Sequence, residues 1–437
     1  MKMKQPINLN YCASVVEITK LVPIEKADKI QVAIISGNSV VVSKDMEVGV
    51  RGLFFTLECQ LADGFLSKHN LFRDNTRNIN PEKVGFFEAN GRIRTVNLRG
   101  QKSEGFFMPL AGLHKDYVEL TTLDVGTDFD CLDDECICRK YAVKQVKQQN
   151  APKQGKKVNQ FSRLVDNQFH LHINTIQGKK NFHLINPNDI ISITDKWHGT
   201  SAVFANVLTN RKLNWREKLL SKIGVKVDAV EYGNVYSSRK VVKNKHINEM
   251  VDGGFYKADV WGIVNEDLKG IIPKGVSLYG EIVGYIPGDG KSIQGGYHYG
   301  GQPNTCKFIA YRITNTNVDG QVTEYSWQQI KEFCSKYGLD HVHELYHGYA
   351  KDLYEYVPVD DEWNETVLNL LVDDFNLEKE CKYNKGMPAE GFVVKVDKLY
   401  ECKPMKLKSF AFLKHETMLL DAGLDDIESN QEIENNE

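Results

Sequence analysis

Residues 139–160 divide this chain into two parts whose side-chain patterns cannot belong to one layer of structure. From Arg139 to Lys157 there are seven basic residues and no acidic one, among glutamines, with Pro152 and Gly155 inside. Such a stretch has no face to bury and predicts a solvated linker able to touch phosphates. Before it, apolar residues fall in short β-branched runs. After it, strand-like runs alternate with helical ones, an α+β pattern. A chain of 437 residues is long enough for two domains with separate cores. The expected organisation is a first domain over 1–138, a linker over 139–160, a second domain over 161–424 and a solvated acidic tail over 425–437. From Asp421 to Glu437 there are seven acidic residues and no basic one.

In the first part, residues 15–18, 30–35, 39–42 and 53–57 read as strands, and Ser36-Gly37-Asn38 separates two of them like a hairpin turn. About five strands in about 130 residues suit a small barrel of the oligonucleotide-binding type. Residues 92–99 alternate basic and apolar side chains, which predicts a strand with one buried face. Its other face would offer Arg92, Arg94 and Arg99 to nucleic acid. The alternative is a small barrel with no ligand.

Composition narrows the function classes. A net charge of −3 argues against polyanion binding by the whole surface. No run of 18 apolar residues predicts a membrane helix, and the start of the chain lacks the apolar core of a signal peptide. Nine cysteines, mostly single in apolar settings, suggest free thiols in a reducing, intracellular compartment. Cys131, Cys136 and Cys138 cluster, but three sulfurs with no paired histidine fall short of a four-ligand zinc site.

In the second part, the apolar run 190–194 leads into Asp195-Lys196-Trp197-His198-Gly199. A lysine at a strand end before a glycine turn can be a nucleophile on a rigid scaffold, or a surface lysine in a turn. Its companions follow in order: Ser238-Arg239, Tyr279-Gly280-Glu281, Glu390-Gly391-Phe392-Val393-Val394-Lys395 and Lys406-Leu407-Lys408. Helical runs lie over 214–223 and 325–334. Leu219, Leu220 and Ile223 predict a packing face on the first, and residues 352–376 predict one or two further helices.

These residue types suit attack of a lysine on the α-phosphorus of a nucleotide, leaving a phosphoramidate. A free lysine, with a pKa of ~10.4, is protonated at neutral pH, so nearby cations have to lower it. Period 2 puts Lys406 and Lys408 on one face of a strand, where fixed cations, with Lys395 as a possible third, stabilise charge building on the phosphate. Glu281 and Glu390 border glycines, so backbone can approach a ligand there. Glu390 reads as a metal carboxylate, and Glu281 as a ribose or metal carboxylate. Arg239 can fork onto a ribose or phosphate. Singly, each glutamate reads as well as a strand-end salt bridge.

The five segments together resemble motifs I, Ia, III, IV and V of the covalent nucleotidyltransferases, the superfamily of DNA ligases, RNA ligases and mRNA capping enzymes. His198 stands where DNA ligases and capping enzymes typically carry Asp. Phe308-Ile309-Ala310-Tyr311-Arg312 resembles motif IIIa of RNA ligases, which implies that Phe308 stacks on adenine and that Asp195 contacts its amino group. Only 29 residues follow Lys408, too few for the C-terminal barrel of the other two classes. Ala27-Asp28-Lys29-Ile30, Gly85-Phe86-Phe87 and Gly100-Gln101-Lys102-Ser103-Glu104-Gly105 resemble the amino-terminal domain of the RNA ligase family typified by the Deinococcus radiodurans enzyme.

That resemblance implies an α+β architecture: an N-terminal OB-type β-barrel, then an ATP-grasp-like nucleotidyltransferase domain of antiparallel sheets with flanking helices. It implies Lys196 as nucleophile, with Lys406 and Lys408 as catalytic cations. Asp195, His198, Gly199, Arg239, Glu281, Phe308 and Lys395 would bind the nucleotide. The expected cofactors are ATP, with AMP carried on Lys196, and Mg²⁺ or Mn²⁺ at Glu390 and Glu281. The expected partner is a nicked RNA duplex or RNA/DNA hybrid, with no membrane, for a monomer. A DNA ligase or capping enzyme, and a non-catalytic RNA-binding protein, are the alternatives.

Overall fold

The computed structural model describes residues 3–133, 135–143, 163–244, 256, 258–374 and 380–424. The basic linker beyond 143 and the acidic tail from 425 lie outside them.

The N-terminal part is a set of small antiparallel sheets around one large core and two smaller ones. Strands Gly105–Pro109, Arg51–Thr56, Ala13–Glu17 and Asp128–Phe129 pair in that order, and Lys20–Pro23, Ile30–Ile35 and Asn38–Ser43 form a meander beside them. The tight connection before Asn38–Ser43 needs Gly37 in the left-handed region, at φ +71°. Phe55, Phe65, Phe72 and Phe129 are fully buried at the centre. Strand Cys138–Lys140 pairs with Cys59–Leu61, so the pairing of this unit runs two residues past 138.

Two expectations change here. Residues 92–99 do not make one alternating strand. Arg92 makes an isolated bridge to Gln60, and only Val96–Leu98 is strand. The cysteine cluster is not a set of free thiols either: Cys131 and Cys136 face each other across two short paired strands and form a disulfide. The other seven cysteines are unpaired.

The second part is built on two mainly antiparallel sheets, with Ile176–Gln177 running parallel to its neighbour Met405–Lys408. One runs Ile176–Gln177, Met405–Lys408, Gly391–Val396, Ile190–Lys196, Glu344–Tyr349. The other runs Val230–Ser237, Thr200–Asn210, Val276–Gly284, Cys306–Thr316, Val322–Glu324. Strand alternation gives the first sheet two chemically distinct faces. Ile191, Ile193, Phe392, Val394, Met405 and Leu407 point back into a core shared with Trp363, Val367 and Leu371 of helix Trp363–Asp374. Ser192, Thr194, Lys196, Val393, Lys395, Lys406 and Lys408 line a cavity on the front. Helix Trp327–Tyr337, held at its start by a Ser326–Gln329 capping box, and helix Val260–Leu268 pack into the core of the second sheet.

Helix Trp215–Lys222 forms where periodicity places it, with an Asn214–Glu217 capping box. Its apolar side is left largely exposed among the described residues, however. Leu219 is 54% exposed, Ile223 68% and Trp215 71%, so the expected packing face is a solvent face. The reason is topological: the helix lies in the connection between Thr200–Asn210 and the outermost strand Val230–Ser237, beyond the end of the sheet. No helix among the described residues is long and apolar enough to cross a membrane.

The two parts interlock. Asn10 donates to the Thr175 carbonyl (2.8 Å), and Lys179 reaches Glu104 (2.7 Å). Lys180 bonds Ser14 (2.9 Å) and pairs with Asp128. Arg92 forks onto Glu58 (2.7 and 2.8 Å) and donates to Asp421 (2.9 Å) of the C-terminal helix Phe410–Asp421.

Candidate active site

Strand register assembles the cluster. Lys196 lies opposite Gly391, and Gly391 opposite Lys408. One row therefore reads Lys196–Gly391–Lys408, the outer backbones roughly 10 Å apart at normal strand spacing. The next row places Thr194, Val393 and Lys406 together. Gly391 sits at φ +141°, and a Cβ there would meet the Leu407 carbonyl at 2.0 Å, so only glycine lets this row close. The cavity, of about 170 Å³, is walled on the other side by Ser201, Tyr279, Glu281, Tyr311 and Arg312 of the second sheet.

The nucleophile candidate is ion-paired: Lys196 Nζ lies 2.6 Å from Glu390 Oε1. Lys196, the fixed charge of Lys408 and nearby His198 outweigh burial and hold the Glu390 carboxyl below its usual value. Its second oxygen is buried with no hydrogen-bond partner among the described residues. A desolvated carboxylate oxygen beside a phosphate-sized cavity is a fitting ligand for a divalent cation. No group of three or more His, Cys, Asp or Glu suited to a metal exists among the described residues, so phosphates and water would supply the rest of its coordination.

The two lysines of strand Met405–Lys408 are electrostatically unlike. Burial, then Lys408, Lys196 and Arg239, push Lys406 down to about 7. Burial acts on Lys408 too, but Glu416 and Glu390 overcome it and hold that amine above its usual value. Lys395 is turned to its own surroundings, donating to the Tyr325 carbonyl (3.1 Å) near Glu324 (3.9 Å).

Motif I is held by aromatics. Trp197 stacks on Tyr299, centroids 4.3 Å apart, and the Tyr299 hydroxyl accepts from the His198 amide (2.6 Å). The His198 ring meets Tyr297 and Phe412 edge-on. Gly199 lets the chain cross between the sheets, since a Cβ would meet the Ile282 carbonyl at 2.7 Å. Asp195 lines the cavity with its carboxyl pushed up by burial, against the pull of His343 3.5 Å away. Arg239 lines it and donates to Asn174 (2.9 Å). Glu281 accepts from Ser201 (3.2 Å).

Phe308 does not reach the cavity. It lies on the core side of its strand, edge-to-face with Phe204 at 5.2 Å. The ladder pairs Gly280 with Ala310 but Tyr279 with Arg312, leaving Tyr311 as the extra residue of a β-bulge. By simple alternation Tyr311 already lies on the side opposite Phe308, and the bulge brings Arg312 to that side as well. Tyr311 is therefore the available stacking surface.

The proposed cationic stripe also dissolves. The Arg92 side chain is fully buried between Glu58 and Asp421. Arg94 faces Asp421 (3.5 Å) and Glu88 (3.9 Å). Arg99 is exposed, with one guanidinium nitrogen on the Lys26 carbonyl. Instead, the N-terminal part contributes Tyr11, Glu58, Lys140 and Tyr141 to the cavity wall, and helix Phe410–Asp421 contributes Glu416. Only Arg312 among the residues missed carried a signal: an arginine inside an apolar run calls for a buried partner, here Glu324 (2.9 Å from Nε).

Comparisons agree with this layout. The RNA ligase family model matches residues 189–408, half of the chain, and an OB-fold domain model matches residues 12–110. No curated protein matches. Among solved structures, the Naegleria gruberi RNA ligase with PPi aligns with TM-score 0.57 at 17% identity, over 93% of this chain and 98% of that one. A variant of the same enzyme with ATP and Mn aligns with TM-score 0.55 at 17% identity, over 92% and 98%, and another with AMP and Mn at 0.56, 17%, 92% and 98%. At that identity the likeness establishes the fold: an OB-fold domain followed by antiparallel sheets with helices. By the family match and that fold, the chain belongs to the RNA ligase family.

Proposed function

We propose that this RNA ligase uses ATP and a divalent cation to form a covalent AMP adduct on Lys196 and then seals 3′-OH/5′-phosphate nicks in RNA-containing duplexes. The observation that carries the reading is the row Lys196–Gly391–Lys408, with Glu390 against the Lys196 amine. The Naegleria structures with ATP, AMP, Mn and PPi support nucleotide and metal for a cavity of this kind.

In the first step the Lys196 ammonium loses one proton to solvent; the free amine then forms a bond to the α-phosphorus, the bond to pyrophosphate breaks, and a second proton leaves the nitrogen for solvent. Lys408 stabilises the charge on the non-bridging oxygens. Glu390 would hold the cation, whose positive charge would neutralise phosphate oxygens and aid departure of pyrophosphate. Tyr311 supplies the face for adenine, Asp195 is placed for its amino group, and Glu281 and Arg239 for ribose and phosphate. AMP then passes to a 5′-phosphate, and a 3′-hydroxyl displaces it.

We read residues 1–138 and 161–424 as the two working units of a monomer. We place the reaction inside the cell, on seven unpaired cysteines, six of them buried; the Cys131–Cys136 link is the one feature opposed to that setting.

The test is transfer of label from α-³²P-ATP to the protein, with GTP in parallel, followed by sealing of RNA-containing and all-DNA nicks. Labelling by ATP alone and sealing only where RNA flanks the nick is the expected result. Labelling by GTP would favour capping chemistry instead.

Lys406 gives a pH signature. With its value near 7, it is largely neutral at pH 8.5. A bound polyphosphate raises it toward the ordinary range, so binding takes up a proton in the window above about pH 7 and stops doing so below about pH 6, where Lys406 is already charged. Calorimetry of binding of an ATP analogue that cannot be cleaved between the α- and β-phosphates to the parent protein, in buffers of different ionisation enthalpy, should show uptake approaching one proton at pH 8.5. Lys406→Met should remove most of it.

A further inference from the structure

We propose that Glu416, on the C-terminal helix beyond the last motif, is the positioning residue for Lys408, and that through its helix the docking of the N-terminal domain sets where that cation stands. The inference rests on the reading above, in which Lys408 acts on the reacting phosphate.

Helix Phe410–Asp421 begins directly after the Lys408 strand. Its first turn is capped by Ser409, which accepts from the Phe412 amide (2.9 Å) and donates to the Ala389 carbonyl (2.7 Å). This fixes the helix against both the Lys408 strand and the residue before Glu390. One side of the helix grips the lysine: Glu416 receives Lys408 Nζ on both oxygens, at 2.8 and 2.9 Å. The Phe412 ring centroid lies 5.2 Å from the same ammonium. Another side of the helix meets the N-terminal domain. Thr417 reaches Glu58 (3.4 Å) and Thr95 (3.3 Å), and Asp421 receives Arg92 (2.9 Å).

The charges around the pair come from every neighbouring element. Glu390 and Tyr11 also face Lys408. His198 and Lys140 face Glu416, and Glu58 feels both members. Lysine is a long, flexible stem that loses much rotamer freedom when fixed. A two-oxygen grip from a helix fixes it before ATP arrives, so less ordering remains for the reaction step. Glu416 touches the lysine and acts through it.

A salt bridge that merely stabilises the fold would give a different kinetic pattern, and this separates the two roles. In the full-length protein, single-turnover labelling by α-³²P-ATP is followed across ATP concentration for Glu416→Gln, Glu416→Asp and Glu416→Ala. Gln keeps the size and removes the charge; Asp keeps the charge on a shorter arm. The expected result is a fall of at least about tenfold in the saturating rate for Gln, with the half-saturating ATP concentration changed less than about threefold. Asp should recover a substantial part of the loss and Ala none of it. A Gln variant that labels at the parent rate overturns the proposal, and so does an Asp variant no better than Ala. A parent protein that forms no adduct overturns the nucleotidyl-transfer reading itself, which distinguishes the two failures.

Discussion

Lys196→Ala is expected to form no AMP adduct while still binding ATP. The amine supplies the electron pair for the new bond to phosphorus, and no other group in the cavity can take its place. Lys406 is the nearest rival, because its lowered value leaves part of it neutral at pH 7. It sits on the strand beyond Gly391–Val396, however, in register with Val393 and Thr194 rather than with Lys196. Its backbone is therefore roughly 10 Å from that of the nucleophile. Removing a nucleophile of this kind lowers turnover by on the order of 10⁶-fold in enzymes where it has been isolated, so labelling should drop to background. Glu390 would lose its direct partner, although Lys408 remains as a nearby positive charge. ATP binding by the variant, measured by calorimetry with Mg²⁺, should persist, since the walls of the cavity are untouched. Label transfer to the variant at a rate near the parent's would refute Lys196 as the nucleophile.

Arg92→Ala is expected to be the most destabilising single truncation in the N-terminal part, although Arg92 first reads as a surface residue for nucleic acid. Its guanidinium makes a two-point contact with Glu58 and a third bond to Asp421, with the side chain fully buried. Glu58 sits in a tight turn at φ +64°, and burial already raises its carboxyl against the opposing pull of Arg92. Without Arg92 a buried carboxylate loses its counter-charge, which costs about 3–5 kcal/mol. The loss has a pH sign. Truncation raises the folded-state value of Glu58 further, so the penalty is smallest at low pH, where the group is protonated in both states. The unfolded state is common to both proteins, so the difference grows as pH rises through the parent's raised folded value and levels off above the variant's. Urea denaturation of parent and variant at pH 5 and pH 8 should show the larger difference at pH 8. A difference below about 1 kcal/mol at both would mean that the triad contributes little net energy.

Much of this protein is legible from residue order alone, for reasons of periodicity. A strand has two faces, so Ser192, Thr194 and Lys196, or Lys406 and Lys408, can be assigned to one side without coordinates. Their neighbours Ile191, Ile193 and Leu407 then go to a core. Glycines next to Glu281 and Glu390 flagged close approaches, and Gly280 and Gly391 both lie too near a neighbouring carbonyl for a Cβ. Helical runs over 214–223 and 325–334 were legible, and helices Trp215–Lys222 and Trp327–Tyr337 form there.

What residue order could not decide are quantities that depend on partners distant in the chain. Packing of the second sheet's core put Phe308 against Phe204 and left the cavity wall to Tyr311 on the other side of the same strand. The position of helix Trp215–Lys222 beyond the end of a sheet left an amphipathic face in solvent. Arg92 became a buried clasp because Asp421, 329 positions away, meets it. Glu416 gripped Lys408 because a helix folds back over its own strand. Local pattern fixes which way a side chain points relative to its own backbone; only the packing of elements fixes what it meets there, and the charge and burial of this site follow from that meeting.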